Sequence, residues 1–198
     1  MWTDRIVAEY TGRPLFADDF YEIARRMCLF FNGRMNYENN KKGLFAYFQK
    51  MNSLYLLTDT LEFLKDKDMV KSRLFGNNTK GTTATEGINS YARTLLRNWL
   101  LRPITVLKKY QDEEEEITVP RLFTLRTRAL IEELIGYNDV GNFDRVSSVM
   151  MLMLLREDRM VRYNGNLLAS REEDGDKNYL GNDPFFERNY RFQSHYNK

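Results

Sequence analysis

The chain has 198 residues, 42% apolar and 14% aromatic, enough for one packed domain and too apolar for a disordered chain. Thirty basic and 28 acidic side chains leave a net charge of +2, so no global basic field marks nucleic acid and any DNA contact must come from a local patch. One cysteine, Cys28, and one histidine, His195, exclude a disulfide framework, a Cys- or His-rich zinc site and a histidine triad.

A metal held by this chain would take carboxylates, which select hard ions such as Mg or Mn. No apolar run reaches the ~18 residues of a membrane span, and Met1–Arg5 has no signal-peptide pattern. Both features fit a reducing cytoplasm.

In chain order, Arg5–Tyr10 is β-branched and reads as a strand stopped by Gly12 and Pro14. A helix then opens, with Asp18 as N-cap, an apolar face of Phe20, Ile23, Ala24, Met27 and Phe31, and Gly33 as its end. Met35–Glu38 is a short strand, Gly43–Met51 a helix and Leu54–Leu57 a third strand. This alternation predicts an α/β layer with a partly parallel sheet. A long helix follows over 84–102, with Ile88, Tyr91, Ala92, Leu95, Leu96 and Trp99 on one face, and Pro103 stops it. Asp112–Glu116 is a like-charge run and reads as a solvated loop. Arg121–Leu125 is a strand or connector. Helices are expected at Leu130–Ile135 and Phe143–Arg156. From about residue 163 the chain is polar and aperiodic, so the division is a domain over 1–162 and a flexible tail over 163–198.

Three places invite chemistry. Gly76–Thr83 imitates a phosphate-binding loop, but Thr82 stands where the motif needs lysine, so no nucleotide binding is expected. Lys80 ahead of a helix start could still hold a DNA phosphate. Glu38 ends a strand beside the turn Asn39–Gly43, where α/β folds place ligands; the alternative is an ordinary exposed acid. Asp144 opens an apolar helix, with Asp139 as a competing candidate. The plain alternative there is a first-turn acid stabilised by the helix dipole.

Taken in order, Glu9-Tyr10, Asp19-Phe20, Tyr37-Glu38-Asn39-Asn40 with Gly43, Thr79-Lys80-Gly81-Thr82, Glu133-Leu134 and Asn142-Phe143-Asp144-Arg145-Val146 resemble the nuclease domain of a tailed-bacteriophage large terminase subunit. The resemblance covers roughly residues 5–157. It rests on order and spacing rather than on any one pattern.

It implies a ribonuclease-H-like α/β fold, a mixed sheet flanked by helices. It implies cleavage of concatemeric double-stranded DNA by two-metal phosphodiester hydrolysis, with two Mg or Mn ions. Glu38 would be the acid of a central strand and Asp144 the acid of a late helix, with Asp139 as the alternative ligand. The family's first Asp has no counterpart; the resemblance places it upstream of Met1, so the domain would be N-terminally truncated and weakly active or inactive alone. Where the family often has His-Asp-Asp near its third acid, this chain has Asn142-Phe143-Asp144.

Lys41, Lys42, Lys80, Arg126, Arg128 and Arg145 are candidate DNA contacts. The implied partners are double-stranded DNA, an upstream terminase ATPase domain, the portal and the small terminase subunit, in the cytoplasm of an infected bacterium and with no membrane. Two rivals stand beside this: a non-catalytic DNA-holding and docking fragment, and another ribonuclease-H-like enzyme such as a resolvase or recombinase.

Overall fold

The computed structural model describes residues 4–40, 42–66, 80–110, 113–138 and 141–173. The chain divides into two compact units, Met1–Asp158 and Arg159–Lys198. Helices and strands are mixed, in the order α1 (Ala17–Phe30), α2 (Gly43–Lys50), α3 (Glu62–Asp66), α4 (Glu86–Leu101), β1 (Pro103–Tyr110), β2 (Glu113–Pro120), α5 (Arg128–Gly136) and α6 (Asp144–Glu173). No helix among the described residues is long and apolar enough to cross a membrane.

Local chemistry sets the helix ends. Thr85 caps α4, its hydroxyl accepting from the Ile88 amide at 3.3 Å. Pro103 cannot continue α4 and instead starts β1. Asp18 and Asp19 lie inside the first turn of α1, whose N-cap is Phe16, so the expected Asp18 cap is replaced by a dipole contact. Asn32, not Gly33, takes the left-handed turn after α1, with φ of 48°. The Gly33 amide then reaches back to the Cys28 carbonyl at 2.8 Å. Asn52 repeats the device after α2, with φ of 49° and the Ser53 amide on the Phe48 carbonyl at 2.8 Å.

Two apolar clusters form in the first unit. The larger joins Leu61, Phe63 and Leu64 to Ile88, Ala92, Leu96 and Trp99 of α4, Leu130 of α5, and Val146, Met150, Met153 and Leu154 of α6. Each large side chain buried there contributes about 1.5–3 kcal/mol. The smaller cluster holds Tyr37, Leu44, Phe48, Leu56 and Leu57. The periodicity of α4 therefore reads correctly from sequence. That of α1 is only half used: none of its residues is buried, and Phe31 remains 47% exposed.

The strands differ most from expectation. Arg5–Tyr10 forms no strand and joins no ladder among the described residues, and Leu54–Leu56 is a 3-10 turn rather than a strand. The expected loop at Asp112–Glu116 instead contributes Glu113–Glu116 to β2, where the register sets Lys108 and Lys109 opposite Glu115 and Glu114. Arg121–Thr124 is a 3-10 turn. The last helix runs to Glu173, past the expected start of a flexible tail; residues beyond it lie outside those described.

Among the described residues, parallel pairing survives only as single bridges. Met35 bridges Leu57, and Glu38 bridges Thr82. The Met35 amide bonds the Leu56 carbonyl at 2.8 Å, and the Thr82 amide bonds the Tyr37 carbonyl at 2.8 Å. The segment 35–39 thus lies between two others, one on each side.

Candidate functional site

The segment carrying Glu38 is fixed from both flanks. Gly81 sits at φ of +78°, and a Cβ there would stand 2.7 Å from the Tyr37 carbonyl oxygen. Only glycine fits that approach. Asn39 donates from Nδ2 to the Lys80 carbonyl at 3.1 Å and accepts from the Thr83 hydroxyl at 2.9 Å, while Asn40 donates to the Ala84 carbonyl at 3.2 Å. The two patterns Tyr37–Asn40 and Lys80–Thr83 are one interlocked unit.

Asn36 ties that unit to α6. Its Nδ2 donates to the Met151 carbonyl at 2.9 Å, and its Oδ1 accepts from the buried Thr82 hydroxyl at 2.8 Å. Glu38 is two residues from this anchor. Asp144 is about two helical turns from it at the other end of the bond.

The start of α6 is locked in turn by α5. The Glu133 carboxylate accepts from the backbone amides of Arg145 and Val146 at 2.9 and 3.3 Å, and from the Arg145 guanidinium at 2.5 Å. It satisfies orphan donors and complements the positive helix end. Arg145 also reaches Glu9 at 3.1 Å. Hydrogen bonding to Glu133 holds the Arg145 guanidinium above its ordinary value, against the opposing effect of burial.

Glu38 and Asp144, 106 positions apart in the chain, line one groove of about 930 Å³ together with Glu9, Arg13, Glu133 and Arg145. Both acids are exposed. Glu9 and Glu133 are engaged by Arg145. Asp144 meets Arg13 only at 3.8 Å, with both side chains largely exposed, and the Asn142 amide only at 3.5 Å. Glu38 has no side-chain hydrogen bond or ion pair among the described residues.

The donor set is of the kind a hard divalent ion takes: carboxylate oxygen at an open, polar surface. In number it is short. Among the described residues, no three His, Cys, Asp or Glu side chains come close enough to hold an ion. Asp139, the alternative ligand, lies outside the described residues.

The basic candidates are dispersed. Lys41 lies outside the described residues, and Lys42 is exposed at the entrance to α2. Lys80 pairs with Asp59 at 2.7 Å and donates to the Leu57 carbonyl at 3.3 Å. Arg128, 91% exposed, pairs with Glu132 at 2.7 Å. Arg126 is exposed on a second groove. Arg145 is neutralised by two acids. The cation that meets Asp144 is Arg13, which sequence reading did not select. Asn36 and the clamping role of Glu133 were also missed. Glu133 and Glu9 had a signal, since both stand inside the short patterns of the resemblance; Asn36 had none.

No protein-family model, curated protein or solved structure matches this chain.

Proposed function

We propose that this chain is a ribonuclease-H-like nuclease domain of a tailed-phage DNA-packaging terminase, cutting concatemeric double-stranded DNA by metal-dependent phosphodiester hydrolysis. One observation carries the reading. Short patterns far apart in the chain, at Glu9, Tyr37-Glu38, Glu133 and Asn142–Arg145, line one groove that presents Glu38 and Asp144 to solvent, and Lys80–Thr83 braces the Glu38 segment from its flank.

In this reading Glu38 and Asp144 would hold two Mg or Mn ions, together with a further acid that the described groove does not supply. Such ions, when bound, polarise a phosphodiester and activate water. The chain's own residues do the positioning. Asn36 and Gly81 fix the Glu38 segment, and Glu133 fixes the first turn of α6 and so Asp144. Arg13, exposed beside Asp144, would meet a phosphate at the rim.

Four carboxylates and two guanidiniums leave the groove two negative charges in excess, so the bare site repels a DNA backbone. The partners that follow are double-stranded DNA, an upstream packaging ATPase, the portal and the small terminase subunit, in an infected bacterial cytoplasm.

A second reading has its own support. With only two free acids in the groove, the chain would hold DNA and dock to the motor without cutting. Supercoiled-plasmid cleavage in Mn or Mg separates the two, with the chain expressed together with any sequence its gene encodes upstream. Cutting that is lost in both Glu38→Ala and Asp144→Ala supports the nuclease. DNA binding without cutting supports the holding module.

A further inference from the structure

We propose that Arg5–Glu9 is a self-complementary strand through which two copies of this chain pair in antiparallel fashion. The proposal is independent of the nuclease reading. The segment belongs to no helix, turn or strand, and none of its backbone groups takes part in a backbone hydrogen bond among the described residues. Its β-branched composition favours a ladder that the isolated chain does not supply.

Only Ile6 of the segment is drawn inward; Arg5, Val7, Ala8 and Glu9 are exposed. Ile6 packs on the main apolar cluster, whereas Val7 is 74% exposed and Arg5 is exposed beside it. Among the described residues the neighbouring strand β1 pairs only with β2 and leaves its other edge open on the groove shared with Ile6–Glu9. An open edge of this kind is a template for another chain.

The second copy is the occupant because the sequence is palindromic in charge. In an antiparallel register centred on Val7, Val7 faces Val7, Ile6 faces Ala8, and Arg5 faces Glu9 twice, related by the two-fold axis. Arg5 has no acid partner among the described residues. Arg145 and Thr11 occupy Oε1 of Glu9, leaving Oε2 for the guanidinium of the second copy.

Sedimentation equilibrium of the whole chain tests this. The chain should be a dimer at micromolar concentration. Arg5→Glu should weaken dimerisation by about tenfold or more, since it turns two attractions into two repulsions. The double variant Arg5→Glu with Glu9→Arg should restore it. Val7→Asp, which places two carboxylates opposite each other at an exposed position, should also yield monomers without loss of circular dichroism. A monomeric parent chain, or Arg5→Glu and Val7→Asp variants that dimerise as the parent does, would overturn the proposal. A double variant that is folded yet monomeric would do the same.

Discussion

Replacing Gly81 by alanine perturbs the junction that aims Glu38. The residue sits at φ of +78°, and an added Cβ would meet both the Tyr37 carbonyl oxygen and its ring carbon at 2.7 Å. The left-handed conformation costs an L-residue about 1–2 kcal/mol. Overpacking against a side chain already 5% exposed and bonded on both flanks adds about 1–3 kcal/mol. A destabilisation of about 3 kcal/mol corresponds to a fall in Tm of roughly 6–12 °C for a domain of this size. Thermal denaturation followed by circular dichroism measures it. Gly87→Ala is the control: it is exposed inside α4, and its Cβ would meet nothing within 4 Å. That change should stabilise by about 0.5–1 kcal/mol. A Gly81→Ala chain that melts with the parent, or alanine shifts of the same sign at both positions, would refute the reasoning.

Other outcomes follow from the same contacts. Asn36→Ala removes the bonds to Met151 and Thr82 and takes this acceptor from the buried Thr82 hydroxyl, so it should cost about 1–3 kcal/mol in urea unfolding. Hydrogen bonds from Arg25 first, then Arg26 and Tyr47, hold the Glu22 carboxyl down to about 2 from an ordinary 4.5. Its contribution is therefore present above pH 4.5 and lost as pH falls toward 2, so Glu22→Gln should flatten the acid limb of a stability profile over that window. Thr82 is buried and bonded to Asn36, so calorimetry with Mg-ATP should show no binding. Micromolar affinity there would contradict this.

Legibility in the sequence tracked the range of the interactions involved. α4 and the helical part of α6 were readable because one apolar face repeats at helical spacing and meets one core. The Asp112–Glu116 run misled because its partners Lys108 and Lys109 are cross-strand neighbours, and register is not visible in a charge count. Leu54–Leu57 has strand composition but spends its first residues in a 3-10 turn, leaving only Leu57 to bridge. At the groove, Glu38 and Asp144 could be named from local patterns. That Arg145 would be absorbed by Glu9 and Glu133, or Lys80 by Asp59, depends on tertiary pairing and was hidden. Asn36 joins two segments 115 positions apart through one amide, which no local pattern announces.

The most direct test of a shared metal site is Mn(II) binding to the chain, read by electron paramagnetic resonance as loss of the free-ion signal. Weak binding is predicted for the parent, with an equal reduction in Glu38→Gln and in Asp144→Asn. The double variant should be no weaker than either single one, because the two carboxylates serve the same ions. Parent-like binding in either single variant, or additive losses in the double, would contradict the assignment of Glu38 and Asp144 to one site.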